Sequence, residues 1–309
     1  MNATGRLVAY GAGLVLLFGV GLGAGRLLMP DSAPTGQQHA SDSVESGELE
    51  GHGHDGDHSS SSAEESSESS RGLSLAQHGY VLGPVTAPRL VGTAGQLSFT
   101  ITDAEGSPVT DFAVSHEKRL HLIVVRTDGS RFRHVHPRLD DSTGTWSLPW
   151  AWDAGGTYRV FADFVPAGAT DAPDVTLTRT VDVAGELAPE SATAVRRSTT
   201  VDGYEVRLSG DLEAGQSTQL QIAVSKDGKP VTTLEPYLGA FGHLVALRDG
   251  DLAYLHVHPE GDSPAPGAMG GPTISVEVEA PTAGHYLLYL DFQIDGTVRT
   301  ATFVLEAGK

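Results

Sequence analysis

The most constraining feature of this chain is a long repeated segment that carries histidines at the same spacing in both copies. HLIVVRTDGSRFRHVHP starts at His121, and HLVALRDGDLAYLHVHP starts at His243. In each copy a His-x-His-Pro motif begins thirteen positions after the first histidine. The flanking segments align as well, since GTYRVFADF (156–164) matches GHYLLYLDF (284–292). The chain therefore contains a tandem duplication, and its 309 residues predict two domains of one fold.

Both repeats have the sequence pattern of β-strands. Segments such as QLSFTIT and TYRVFADF are rich in β-branched and aromatic residues, and turn signals such as TDGS and DAGG separate them. About six or seven short strands in each repeat predict an all-β fold, with two tandem immunoglobulin-like antiparallel β-sandwiches. The residues around Tyr158 and Tyr286 resemble the tyrosine corner of such domains. We place the first domain at 79–185, a linker at 186–197 and the second domain at 198–307.

The first thirty residues predict a membrane anchor or a signal peptide. Residues 7–25 carry no charge and lie between Arg6 and Arg26, a length that just suffices to cross a bilayer. Small residues near the end of the apolar run would permit cleavage, but we favour an uncleaved transmembrane helix at 1–30. Because Arg6 is the only basic residue on the short N-terminal side and the segment after the apolar run is acidic, the positive-inside rule predicts a single-pass protein of the cell membrane with extracytoplasmic domains.

Residues 31–78 predict a disordered acidic stalk rich in His and Ser. Between positions 31 and 70 there is no Lys or Arg and hardly any large apolar residue, so this stretch lacks the surface that a folded core would bury. Within it, GHGHDGDH brings His52, His54 and His58 next to Asp55 and Asp57. This composition suits loose capture of a divalent metal ion, and the alternative is a polar linker that happens to contain histidines.

Charge and cysteine content exclude several classes of function. The formal net charge of -19 argues against nucleic acid as a partner and favours cations. Because the chain has no cysteine, it has no disulfides, and thiolate metal sites and thiol catalysis are excluded. Any metal site must therefore use nitrogen and oxygen ligands.

Strand pairing would gather the repeated histidines. A turn at Asp128-Gly129 sets His121 opposite His136, with His134 two positions away on the same face. The corresponding turn in the second repeat sets His243 opposite His256 or His258. In immunoglobulin-like topology the third and sixth strands are neighbours, so Asp163 and Asp291 should lie near the first histidine of each repeat.

These pairings predict one His/His/Asp metal cluster per repeat, on the solvent-accessible outer face of one sheet, suited to copper or zinc. The predicted ligands are His121, His134, His136 and Asp163 in the first repeat, and His243, His256, His258 and Asp291 in the second. His116 and His285 have no counterpart in the other repeat, and they are either additional ligands or surface groups.

Two other functions remain open on the residues alone. The histidines could serve only packing and hydrogen bonding, in a stalked, non-catalytic interaction module whose outer sheet faces bind a protein partner or each other. A metal-dependent hydrolase is disfavoured because no general base or open coordination position stands out, so we expect no enzyme activity.

The segments HEKRLHLIVVRTDGSRFRHVHP, GTYRVFADFVPAG and YLGAFGHLVALRDGDLAYLHVHP resemble a family of membrane-anchored, extracytoplasmic bacterial proteins described as heavy-metal-binding or copper-associated. The resemblance extends from about Gly79 to Leu305. It implies a metal ligand role for the six repeated histidines and an envelope copper-handling protein as a partner. The resulting expectation is copper or zinc sequestration or delivery outside the cytoplasm.

Overall fold

The structure, a computed structural model, describes residues 71–168, 173–190, 194–255, 257–261, 263–265 and 267–309. The predicted anchor at 1–30 and residues 31–70 of the predicted stalk, with the histidines of GHGHDGDH, lie outside these residues. Within the described part, no helix has the length and apolar character needed to cross a membrane.

The described residues form an all-β structure of two domains, as the sequence predicts. The first domain contains nine strands: β1 (Ala76–Gln77), β2 (Tyr80–Leu82), β3 (Gly95–Thr102), β4 (His121–Arg126), β5 (Arg133–Val135), β6 (Arg138–Asp140), β7 (Thr145–Trp150), β8 (Gly156–Phe164) and β9 (Val175–Val183). The second domain contains ten: β10 (Ser198–Val201), β11 (Tyr204–Ser209), β12 (Leu212–Glu213), β13 (Ser217–Lys226), β14 (Lys229–Pro230), β15 (His243–Arg248), β16 (Val257–Pro259), β17 (Thr273–Glu279), β18 (Gly284–Ile294) and β19 (Thr297–Gly308).

Each domain is a sandwich of two sheets. In the first domain one sheet has the strand order β1-β2-β3-β7-β6 and the other has the order β5-β4-β8-β9. The second domain repeats this plan with β10-β11-β13-β17-β16, to which β14 is added, and with β12-β19-β18-β15. Neighbouring strands are antiparallel except for the short parallel pair β12 and β19. The sheets that matter for the site contain β4 and β8 in the first domain and β15 and β18 in the second.

Each sandwich has its own apolar core. Alternate residues of the strands point inward, so that Leu122 and Val124 of β4 are fully buried in the first core. Leu244 and Ala246 occupy the corresponding positions of β15 in the second core. Burial of apolar side chains between two sheets is the main favourable contribution to the stability of such a fold.

Tyrosine corners are present in both domains. The Tyr158 hydroxyl donates to the backbone oxygen of Ala154 at 2.9 Å, and the Tyr286 hydroxyl donates to that of Thr282 at 2.7 Å. Each hydroxyl thus has a partner four residues upstream, and this interaction fixes the start of β8 and β18. The corner predicted from the Ala-Gly-x-Tyr sequence is confirmed in both repeats.

The outer face of the β4/β8 sheet packs against the outer face of the β15/β18 sheet. A third apolar cluster forms there, with Ile123, Val125 and Phe161 from the first domain. The second domain contributes seven buried residues: Val245, Leu247, Leu252, Tyr254, Leu287, Tyr289 and Val304. Strand β4 is therefore buried on both faces, and the two domains share a continuous apolar interface.

Candidate metal centre

The hairpin formed by β4 and β5 brings the histidines of the first repeat together. Ile123 pairs with His134 and Leu122 with Val135, which is the register predicted from the Asp128-Gly129 turn. Gly129 has a φ of 78°, and the turn tolerates it because glycine has no Cβ. In this register His121 and His134 lie on the same face of the sheet, which is the face that meets the second domain.

Each first histidine also lies across from the predicted aspartate. His121 pairs with Asp163 between β4 and β8, and His243 pairs with Asp291 between β15 and β18. Because this pairing is antiparallel, the start of one strand meets the end of its neighbour. The two repeats thus present the same His-Asp arrangement at corresponding places on the facing sheets.

Histidine rings from both repeats form one cluster at the domain interface, here called the histidine cluster: His121, His134, His136 and His243. The His243 ring stacks on that of His121, with centroids 5.4 Å apart, and lies 4.9 Å from that of His134. Rings that bind one ion through bonds of about 2 Å have centroids about 5 to 6 Å apart. His121, His134 and His243 each offer one ring nitrogen, and these three nitrogens lie within 4.8 Å of one another. The three residues could therefore hold a metal ion.

Hydrogen bonds fix the protonated nitrogen of two rings. His121 Nε2 lies 3.2 Å from the Ser115 carbonyl oxygen, and His134 Nδ1 lies 2.9 Å from Asp291 Oδ2. A carbonyl and a carboxylate oxygen only accept, so each of these nitrogens donates. The Thr300 hydroxyl donates to Asp291 Oδ1 at 2.6 Å and holds the carboxylate in place.

The remaining nitrogens of these two rings face each other. His121 Nδ1 lies 3.0 Å from His134 Nε2, and His136 Nε2 lies 3.3 Å from the same His121 atom. In neutral rings His121 Nδ1 and His134 Nε2 both carry lone pairs, since the single N–H of each ring is already used. Two facing lone pairs at this distance repel each other, and a cation bound by both nitrogens, either a proton or a metal ion, removes this repulsion.

Burial disfavours a proton on most of the cluster. Burial and the neighbouring His134 ring lower the pKa of His121 to about 3. The same two causes, together with His121, lower the pKa of His136 to about 3. Burial, followed by the charges of His134 and His121, also lowers the pKa of His243 well below 6.5. These three rings are therefore neutral near pH 7, the form in which imidazole binds metal.

A tyrosine lies at the edge of the cluster. The Tyr237 ring is 6.5 Å from that of His136, and burial, followed by the nearby Asp291 charge, raises the pKa of this tyrosine to about 12. Its phenol is thus protonated and neutral at physiological pH.

The location and number of clusters differ from the prediction. We expected one solvent-accessible cluster per repeat, but the described histidines form one cluster shared by both repeats. His121 is only 4 % exposed and Asp291 only 3 %, because the second domain covers the outer face of the first. The sequence does carry a signal for this packing. The strand HLIVVR is apolar at Ile123 and Val125, which are outer-face positions that a strand facing solvent would fill with polar residues.

Asp163 has different partners from Asp291. It accepts a hydrogen bond from the Thr176 hydroxyl at 2.7 Å, and Arg71 Nη2 lies 3.9 Å away. Burial raises the pKa of Asp163, and the Arg71 charge opposes this rise. The threonine contact matches that of Thr300 with Asp291, whereas the contact with a histidine nitrogen is described only for Asp291.

The His-x-His-Pro motif of the second repeat follows a different course. Strand β16 pairs with β17, so that the backbone of His258 lies beside Glu277 in the sheet opposite to that of His243. The backbone N–H of Leu255 still donates to the Ala246 carbonyl oxygen of β15, whereas β16, which begins at Val257, belongs to the other sheet. The position of His256 and the side chain of His258 lie outside the described residues.

His116 is a residue of the site that the repeat alignment ranked low. It lies in a turn closed by mutual backbone hydrogen bonds between Ser115 and Lys118. Its exposed ring is 5.6 Å from that of His243 and 6.2 Å from that of His121. The comparison of repeats left it as either an additional ligand or a surface group, because Leu238 occupies the equivalent turn.

A small cavity lies beside the cluster. Its volume is ≈ 70 Å³, and its lining includes His121, His243, His116, Lys118, Asp163 and Arg71. Sites for drug-sized ligands have volumes of about 300 to 1,000 Å³, so this cavity suits an ion or a few water molecules.

Comparison with known proteins gives a family but no activity. The sequence profile of the family described as "Domain of unknown function (DUF8832)" matches residues 83–182 and 199–309, which is one match in each repeat. No curated protein sequence matches this chain.

Similar solved structures include a mutant of Salmonella alpha-2-macroglobulin, with 14 % identity over 75 % of this chain and 15 % of that one, at a TM-score of 0.26. Invasin, a bacterial integrin-binding protein, has 13 % identity over 74 % of this chain and 39 % of its own, at a TM-score of 0.19. Domains 4–9 of the surface layer protein SbsC have 12 % identity over 75 % and 31 %, at a TM-score of 0.21. The chain spans less than half the length of each of these structures, and similarities at this level carry no functional argument.

Proposed function

Since the chain belongs to the DUF8832 family, whose function is unknown, its site is the basis for inference, and we propose that the protein binds one copper or zinc ion between its two domains. The observation that carries the proposal is the pair of facing nitrogens, His121 Nδ1 and His134 Nε2, 3.0 Å apart. The other nitrogen of each ring already donates to an oxygen, so the facing pair is available to an ion.

The surroundings of His134 also favour a metal. In metal sites the nitrogen of a histidine that does not bind the ion commonly donates to a carboxylate, which orients the ring and makes the other nitrogen more basic. Asp291 supplies this contact at 2.9 Å, and Thr300 holds it from the other side. We therefore assign Asp291 an orienting role, with His121, His134 and His243 as ligands and His136 as a fourth candidate.

The ligand chemistry selects copper or zinc. Imidazole nitrogen suits both ions, and the absence of cysteine leaves no thiolate competitor in the chain. The enclosed cluster and the small cavity beside it support storage or delivery of the ion rather than catalysis on a larger substrate. Together with the anchor predicted at the N-terminus, this makes sequestration or delivery of copper or zinc outside the cytoplasm the proposed role.

A second candidate is favoured by the apolar interface. The outer sheet faces bind each other, so the histidines could serve only to join the domains through hydrogen bonds, as in an interaction module. In that case metal would have no preferred place in the cluster. A direct measurement of metal binding therefore distinguishes the two functions.

The test uses the full chain carrying His39→Ala, His52→Ala, His54→Ala and His58→Ala, here called the background chain, so that the histidines of residues 31–70 contribute no binding. Titration of the background chain with Zn(II) or Cu(II) against a competing chelator should reveal one tight site. His121→Ala in the first repeat and His243→Ala in the second should each abolish the same site. Two independent sites would instead lose only half of the bound metal with each change.

His285→Ala is the matched control. His285 lies on β18 six residues from Asp291, about 20 Å along the strand, and should leave binding unchanged. Circular dichroism of each variant establishes that it is folded. Absence of binding at micromolar free metal, or equal affinity in the His121→Ala chain, would refute the proposed function in favour of the interaction module.

A further inference from the structure

The turn that holds His116 has a backbone conformation that its residues disfavour. His116 and Glu117 have φ values of 47° and 65°, and they form the two central positions of a two-residue hairpin turn. Turns of this type strongly prefer asparagine, aspartate or glycine, because side chains with a Cβ are strained at positive φ. Strained backbone that persists in a folded protein often marks a functional position.

The same turn exists in the second repeat without a histidine. Tyr237 and Ala240 close it with mutual backbone hydrogen bonds, and its central residues are Leu238 and Gly239. Leu238 is buried, with 1 % exposure, whereas His116 is exposed. The turn geometry therefore does not require an imidazole, and the exposed ring at position 116 needs another explanation.

The position of the turn connects it to the histidine cluster in two ways. The carbonyl oxygen of Ser115, its first residue, accepts the hydrogen bond from His121 Nε2. The His116 ring meets the rings of His243 and His121 edge to face, with centroids 5.6 and 6.2 Å away, and it lines the ≈ 70 Å³ cavity beside them. These separations match or slightly exceed those of two rings that share one ion, about 5 to 6 Å.

On the basis of the proposed metal site, we infer that His116 is the exchange ligand through which the ion passes between solvent and the buried cluster. An arriving hydrated ion exchanges one water molecule for a nitrogen of His116. It then exchanges further water molecules, one for each nitrogen of His243, His121 and His134, before the bond to His116 breaks, and departure follows the reverse order. His116 thus lowers the barrier in both directions without changing the final ligand set, so it affects rates rather than equilibrium affinity.

The experiment measures transfer of Zn(II) between the background chain and a chromophoric chelator by stopped flow. His116→Asn removes the imidazole but retains the turn, since asparagine is favoured at this position. We expect the rates of uptake and of release both to fall about tenfold, with the dissociation constant unchanged. His116→Ala should give the same change in rates.

His78→Asn is the matched control. His78 is also exposed and lies at positive φ, 51°, in the two-residue turn between β1 and β2, which belong to the opposite sheet of the same domain, and it is not among the residues that line the cavity beside the cluster. This change should leave both rates unaltered.

Unchanged rates in the His116→Asn chain would overturn the inference, and so would a weaker equilibrium affinity, which would make His116 an ordinary ligand. In either case the unaltered background chain would still bind Zn(II), so the proposed function would stand. Only a background chain that binds no metal would refute the proposed function itself.

Discussion

Asp291 and Asp163 occupy equivalent positions in the two repeats, and this equivalence allows a sharp test of the site. Both lie across from the first histidine of their repeat, and each accepts a hydrogen bond from a threonine hydroxyl. Only Asp291 is described in contact with a nitrogen of a cluster histidine, at 2.9 Å from His134 Nδ1. Replacing each aspartate by asparagine should therefore give different results.

Asp291→Asn keeps the shape of the side chain and removes its charge. The amide oxygen can still accept from His134, and the amide nitrogen can donate to the Thr300 hydroxyl, so the ring orientation is retained. The loss is the negative charge that makes the facing nitrogen more basic. Removing such a partner typically costs 10- to 100-fold in metal affinity, or about 1.4 to 2.7 kcal/mol. Because the hydrogen bond is retained, we expect a value near the lower end of this range.

The assay is a competition titration of Zn(II) in the background chain, with Asp163→Asn as the matched variant. Asp163→Asn should change the affinity little, because the described partners of this carboxylate are Thr176 and Arg71. Thermal unfolding of both variants without metal separates a change in binding from a change in folding. Equal losses of affinity in the two variants, or no loss in Asp291→Asn, would refute the assigned role of Asp291.

Two further predictions concern stability. Because the pKa of His121 and of His136 is lowered to about 3, the unfolded chain, with histidine near 6.5, binds more protons between these values. The metal-free protein should therefore lose stability as pH falls from 6.5 towards 3, by up to about 1.4 kcal/mol per pH unit for each ring. A midpoint of urea unfolding that does not change with pH over this window would contradict this prediction. Phe161→Ala, in the domain interface, should lower the free energy of unfolding by about 3 to 5 kcal/mol in urea. Val114→Ala, at a 69 % exposed position, is the control and should have little effect. Equal effects of the two changes would show that Phe161 is not buried between the domains.

Local geometry was accessible from the sequence. The register of the β4 hairpin follows from the Asp128-Gly129 turn, and the pairing of His121 with Asp163 follows from the immunoglobulin-like order of strands. The tyrosine corners likewise follow from a short motif that occurs twice. In each case the determining interactions lie within one repeat, where alternation and turn chemistry leave few alternatives.

The assembly of the site was not accessible in the same way. The prediction treated each repeat as separate, but the contact of His134 with Asp291 joins residues 157 positions apart in different repeats. The apolar residues Ile123 and Val125 indicate that the outer face of β4 is covered, but no local pattern specifies how two complete domains pack there. The course of β16 is a similar case, since its sequence repeats that of the first hairpin while its backbone pairs with β17. A strand's sequence indicates which of its faces is apolar more clearly than which neighbour it pairs with.

The division of the histidine cluster between the two domains has a consequence for any relative that contains a single copy of the repeat. Such a protein would possess only part of the histidine cluster and would have to self-associate to complete it, at a cost in translational and rotational freedom. Fusing both copies in one polypeptide replaces that encounter between molecules by an intramolecular one, with an effective concentration in the millimolar range for a short flexible linker. Duplication within the chain thereby makes completion of the histidine cluster, and on the proposed function the capture of an ion, independent of the protein concentration.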